Sequence, residues 1–258
     1  MLSTDGGHTF TEMTAGLAGG QAELKYDPYR NSLFLEELEG MEGSIETRLL
    51  RSQDGGSNWE FLTDTGSGIT FDADGRTIYR TITGQGYSIL SSYNNGVTWN
   101  WLKAPQNVEQ MWNVVANPHW PHMLFIPVAI KGQQELYISK NSGITWQGPK
   151  ISIAGDGPHR LFFGNDGKTI YGFGGLFSYH SNDAGESWTE CAFTDKGWLP
   201  ENDSAAVVDP RNSKRIFLAT REGILLSENS CLSWKTMNLG LASLFVNTLA
   251  IDPNNPDT

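Results

Sequence analysis

One octet recurs through this chain at a spacing that few folds accommodate. Ser52-Gln53-Asp54-Gly55-Gly56-Ser57-Asn58-Trp59 is matched closely by Ser3 to Phe10 and by Ser181 to Trp188. Weaker copies run from Ser92 to Trp99, from Ser139 to Trp146 and from Ser227 to Trp234. The starts lie 49, 40, 47, 42 and 46 residues apart. Self-similarity at such a period marks a repeat architecture, in which each unit is one supersecondary element unable to bury its apolar face alone.

Aligned on the octet, every unit has four short apolar runs. The first ends in turn chemistry: Tyr26-Asp27-Pro28, Asp74-Gly75, Asn117-Pro118, Asp166-Gly167, Asp209-Pro210 and Asp252-Pro253. There the Asp or Asn side chain bonds the local backbone and Pro or Gly sets φ. A second run follows (Leu33 to Leu35, Thr77 to Tyr79, Leu124 to Ile126, Thr169 to Tyr171, Ile216 to Leu218). A third enters the octet and a fourth leaves from its aromatic. All are β-branched or aromatic and bounded by turn residues, so each unit reads as a four-stranded antiparallel meander. No segment sustains a 3.6-residue period with caps, and almost no helix is expected.

Four strands in about 45 residues are the pattern of a propeller blade. The expectation is an all-β propeller of six four-stranded blades, forming one domain over residues 1–258. Its sixth blade is split between the termini, with a first strand at Val246 to Asp252 and the octet at Ser3 to Phe10, and it is incomplete. An excerpt from a longer array is the alternative. Met1-Leu2 leads straight into the first octet, with no signal peptide ahead of it.

The octet resembles the Asp-box, the Ser-x-Asp-x-Gly-x-x-Trp repeat of bacterial neuraminidases. Asp5, Asp54 and Asp183 keep the acid, Asn94, Asn141 and Asn229 replace it, and Cys231 displaces a glycine in the last copy. An exchange that keeps an acceptor oxygen and loses the charge suits a turn cap and not a general acid. These six residues are therefore read as structural. The resemblance implies a fold shared with sialidases, xyloglucan-active glycoside hydrolases, sortilin-type receptors and photosystem II assembly factors. The units look most like those of xyloglucanase-like and bacterial surface propellers. Sialidases carry an Arg-Ile-Pro motif, of which only Tyr79-Arg80-Thr81-Ile82 remains here, without the Pro. The xyloglucanases resemble two propellers facing across a cleft with a catalytic Asp from each, and neither Asp is matched in this chain.

In a meander the octets and Asp-Pro turns share one end, so function is expected at the other, on the non-repeating loops. Two loops stand out there. Glu36 to Glu42, within a loop expected from Glu36 to Thr47, is acidic; Asp195 to Asp203 joins carboxylates to Trp198. Glycoside hydrolysis needs two carboxylates beside a sugar-stacking face. That makes Glu37, Glu201 and Asp203 the catalytic candidates, and Trp112, Trp198, Tyr87 and Arg221 the candidates for ligand binding.

A net charge of −11 with no Lys/Arg block argues against nucleic acid or an anionic membrane as partner, and neither nucleic-acid binding nor membrane insertion is expected. No apolar run has the length of a membrane span. No phosphate loop, Rossmann fingerprint or Gly-x-Ser-x-Gly is present, the five His lack paired ligand spacing, and no cofactor or metal is expected. Cys191 and Cys231 read as partly buried free thiols, with a disulfide as the alternative. The reading is a non-catalytic binding or scaffold propeller for carbohydrate or protein, extracellular or at the cell surface. A glycoside hydrolase acting on a β-glucan, or one half of one, is the alternative.

Overall fold

The computed structural model describes residues 8–9, 21–41, 44–82, 86–154, 160–174, 177–193, 205–246, 248–252 and 254–255. The chain divides into two compact units, Met1–Lys103 and Ala104–Thr258. No helix occurs among the described residues.

The first unit holds two sheets. β1 (Gln21–Asp27), β2 (Ser32–Met41), β3 (Ser44–Ser52) and β4 (Glu60–Thr63) pair in chain order, as do β5 (Ser67–Phe71), β6 (Ile78–Ile82), β7 (Ser88–Ser92) and β8 (Asn100–Lys103). The second unit holds three. β10 (Val115–Ala116), β11 (Leu124–Ile130), β12 (Gln133–Ser139) and β13 (Gln147–Ala154) form the first, with β9 (Gln110–Met111) pairing β11 beyond β10. Then come β14 (Arg160–Phe163), β15 (Ile170–Phe173), β16 (Tyr179–Ser181) and β17 (Thr189–Glu190). Last are β18 (Ala206–Asp209), β19 (Asn212–Thr220), β20 (Gly223–Ser227) and β21 (Lys235–Thr236). All pairings are antiparallel, so five of the six expected meanders form among the described residues.

The core lies between successive sheets. In the first unit Phe34 and Leu49 meet Ile69 and Ile78, with Trp99 against them. In the second, Phe125 and Ile138 meet Ile170 and Ala184 beside Trp188, and Tyr171 and Phe173 meet Ile216 and Leu225 beside Trp234. Each of these octet tryptophans thus seals the seam between its own sheet and the one before it.

Five octets join a third strand to a fourth, and all five close the same way. The buried Ser hydroxyl accepts the N–H of the fifth octet residue: Gly56, Gly96, Gly143, Gly185 and Cys231, at 2.8–2.9 Å. It donates to the Asp or Asn Oδ1, which accepts the N–H of the seventh residue at 2.9 Å each time. The seventh side chain changes role with the acid. Ser187 donates to Asp183 Oδ2, whereas Thr98, Thr145 and Ser233 accept from the Asn amides. A hydroxyl serves either way, which is why Asp and Asn interchange. In the octet at Ser3 to Phe10, Asp5 lies outside the described residues.

Ser139→Ala removes one acceptor and one donor from a buried turn. It is expected to cost about 1–2 kcal/mol, the scale of a lost helix cap, read as a lower urea midpoint at unchanged slope. The Asp54 carboxyl is held down to about 2 by its bonds from the Asn58 side chain, the Asn58 N–H and Ser52. A carboxyl depressed on folding contributes stability that is present above its unfolded pKa and lost as pH falls towards the folded value. Melting temperature should therefore drop between about pH 4 and pH 2, and Asp54→Asn should flatten that drop. An identical acid limb in the variant would refute this assignment.

Three expectations are corrected. The acidic stretch from Glu36 is no loop: β2 and β3 run on to Met41 and Ser44, because Glu36 and Glu37 stand opposite Leu49 and Arg48 in register and both find cationic partners. Leu249 to Asp252 forms no strand, having no paired neighbour among the described residues. Cys191 and Cys231 are joined in a disulfide, their Cα atoms 5.0 Å apart.

Candidate functional site

In the first unit the second strands of the two sheets are tied by charge. Arg80 of β6, with no exposed surface, donates through Nη2 to Glu36 Oε1 of β2 at 3.0 Å and to the Gly66 carbonyl at 2.5 Å. Its Nε and Nη1 are buried without a hydrogen-bond partner among the described residues. Burial pushes the Glu36 carboxyl up, with Arg80 pulling it back, and burial pushes Arg80 down. Next to this pair, Glu37 is buried and faces Arg48 Nη1 at 3.5 Å. The Arg48 guanidinium sits 5.5 Å from the ring centre of Phe61, an exposed residue of β4. Both glutamates are thus held by guanidinium groups. Tyr87 is half-buried just ahead of β7.

The second unit gathers more accessible groups. β9 and β10 lie along the same edge of β11, separated by Trp112 to Val114. The reason is Pro127 of β11. Its carbonyl accepts from Trp112 N–H at 3.1 Å, but it has no N–H to return, so the ladder breaks there. Such irregularities re-aim side chains at sheet edges. The break holds Trp112 half-buried, with Glu109 just before β9, its N–H bonded to Ala129 and its Oε2 accepting Gly132 N–H.

Beyond β11, alternate residues of β12 form a polar row. Ser152 Oγ donates to Gln133 Oε1 at 2.7 Å and lies 3.5 Å from Glu135 Oε1. Tyr137 O–H donates to Glu135 Oε2 at 3.0 Å. Burial, and then the Glu135 carboxylate, push the Tyr137 phenol up. A small recess beside this row is lined by Pro127, Gln134, Glu135, Leu136 and Ile151. Amide, carboxylate, phenol and hydroxyl along one face of β12 and β13 supply donors and acceptors for a polyhydroxyl ligand, while Trp112, opposite Pro127 and so in line with Leu136, belongs to the other face of the sheet.

Of the expected site residues, Trp112 belongs to this sheet. Arg221 is exposed in the β19–β20 turn of another sheet of the same unit. Trp198, Glu201 and Asp203 lie outside the described residues. Sequence reasoning missed Glu109, Gln133, Glu135, Tyr137 and Ser152. The signal available was the period-2 row Gln133-x-Glu135-x-Tyr137, a strand showing polar groups on one side.

No family model matches the chain, and no curated protein matches it by sequence. Solved structures do match by fold. A GH74 enzyme from Niastella koreensis superposes with a TM-score of 0.68 over 90% of this chain and 42% of its own, at 20% identity. A GH74 xyloglucanase from Xanthomonas campestris gives 0.68 over 87% and 41%, at 16% identity. An α-L-arabinofuranosidase from Fusarium graminearum gives 0.53 over 92% and 85%, at 14% identity. The chain thus spans about two-fifths of the length of the two GH74 proteins. The shared feature is the fold, an all-β propeller type, and these structural neighbours are propeller-type glycoside hydrolases.

Proposed function

We propose that this chain is an Asp-box propeller of six blades over residues 1–258, the sixth of them incomplete, that binds polysaccharide at the cell surface or outside the cell, and that it is not catalytic by itself. The observation that carries this reading is the likeness of its fold to carbohydrate-active propellers that are much longer than it. The polar row of β12 supplies one chemically suitable face, and the half-buried Trp112 an aromatic group on the other face of the same sheet. Glu36 and Glu37, the two carboxylates of the acidic hairpin whose side chains are described, are paired with Arg80 and Arg48. A disulfide agrees with an oxidising location. A protein ligand in place of the glycan is the other partner of the same reading.

The second reading is half of a glycosidase cleft, favoured by the share of the two GH74 chains that is matched. Glu201 and Asp203 would then be the acids. A glycan array with reducing-sugar release on β-glucans separates the two. Binding without release supports the binding module, and release abolished by Glu201→Gln establishes the enzyme. Neither binding nor release on any glycan sinks both. Within the binding reading, Trp112→Ala and Tyr137→Phe should each weaken retention in polysaccharide affinity gels while leaving the melting temperature of the second unit largely intact.

A further inference from the structure

The fifth octet position has a fixed direction. A Cβ added at Gly96 would come within 2.7 Å of Leu62, and one at Gly185 within 2.8 Å of Ile138 and Phe125, in each case side chains of the preceding sheet. In the last octet that position is Cys231, held at φ 60°. Its side chain enters the seam with the preceding sheet and there finds Cys191, immediately after β17, and His180 of β16. All three are buried, with 0%, 5% and 4% of their surfaces exposed. His180 Nδ1 lies 3.4 Å from Cys231 Sγ, and the three ligand atoms are all within 4.8 Å of one another. Around them are Tyr171, Phe173, Leu218 and Leu225, an apolar shell.

We propose that Cys191, Cys231 and His180 form a metal site masked by the disulfide, which takes one thiophilic divalent cation of the zinc type when the bond is reduced. Two cysteine sulfurs and an imidazole nitrogen are the soft donor set that selects such ions. Zinc–sulfur and zinc–nitrogen bonds of about 2.3 and 2.0–2.1 Å place a tetrahedral sulfur–nitrogen edge near ~3.5 Å, so His180 already stands at ligand distance from Cys231. The sulfurs must part to about 3.8 Å, a side-chain rotation with the backbone anchored. Cys191 N–H bonds the Ser178 carbonyl and Ala192 N–H bonds the Cys231 carbonyl, both independent of the sulfurs. A fourth position is left open. Ser178, two residues before His180 on an extended segment and so on its face of the sheet, has a buried hydroxyl with no hydrogen-bond partner among the described residues. That unpaired oxygen in an apolar seam is the second sign of a missing ligand.

The chemistry balances with a phosphine as reductant. Phosphorus gives two electrons to the S–S bond and takes the oxygen of one water, whose two hydrogens become the two thiol protons. Binding the cation breaks both S–H bonds, releases two protons to solvent, and forms two sulfur–metal bonds and one nitrogen–metal bond.

The test uses the whole chain, reduced with a phosphine and checked for two free thiols, with Co²⁺ as the spectroscopic probe. The reduced protein should take up one Co²⁺ per chain, show thiolate-to-cobalt charge transfer in the near ultraviolet, and lose the band to Zn²⁺. Oxidised protein should show none. His180→Ala should weaken Co²⁺ binding by more than about tenfold, the scale that even an outer-shell partner commands. Zn²⁺ should also raise the melting temperature of reduced wild type and not of Cys191→Ser/Cys231→Ser. A reduced protein without the band, an affinity unchanged in His180→Ala, or a reduced chain that stays unfolded with and without Zn²⁺ overturns the proposal.

Discussion

Glu36→Leu is expected to lower the unfolding free energy by about 3–5 kcal/mol, the cost of leaving a buried partner charge uncompensated. Arg80 has no exposed surface and two acceptors among the described residues, Glu36 and the Gly66 carbonyl. Removing the carboxylate strands a guanidinium that already has two buried nitrogens without partners. The double variant Glu36→Leu/Arg80→Met should behave quite differently, lying within about 1 kcal/mol of wild type or above it, as for other ion pairs replaced by apolar groups. The titration directions support this. Burial raises Glu36 and lowers Arg80 despite their mutual attraction, so each charge is worse off in the fold than in water. Chemical denaturation of both variants provides the measurement. A single variant as stable as wild type would mean that solvent reaches Arg80, and a double variant as damaged as the single would mean that packing, not charge, sets the cost.

The same pair shows where the sequence was legible and where it was not. The octets, the Asp-Pro turns and the four runs per unit were readable because their causes are local. A Ser, an Asp or Asn and a Gly within five residues close a turn by themselves, and Ser139 to Gly143 does so as Ser52 to Gly56 does. The acidic stretch from Glu36 reads as a loop in sequence because the partner of Glu36 is remote: Arg80 lies 44 residues on, in the next sheet. A run of acids looks the same in sequence whether water or a guanidinium answers it. Likewise Trp112 stood out as an aromatic, but the break that places it depends on Pro127, across the sheet. Glu135 and Tyr137 escaped notice because alternation on a short strand tells which side is polar and not that it is used.

Cys191→Ala is expected to cost about 4 kcal/mol on a chain-entropy account for cysteines 40 residues apart, within the 2–5 kcal/mol seen on removing native bridges. The bridge ties the fourth strand of one sheet to the octet of the next, so its loss should loosen the seam around Phe173 and Trp234 first. Cys231→Gly makes the comparison informative. It breaks the same bridge but restores the residue found at this position in the other described octets, and it relieves a left-handed backbone of its Cβ. It should therefore lose no more than Cys191→Ala does, although it deletes more side chain from a buried site. Denaturation in the presence of a chelator keeps any bound cation out of the comparison. A reductant should destabilise wild type and leave both variants unmoved. Equal midpoints for all three proteins without reductant would show that the seam is held by its apolar side chains alone. A Cys231→Gly variant much weaker than Cys191→Ala would show that the Cys231 side chain contributes more as filling for the seam than as one end of a covalent link.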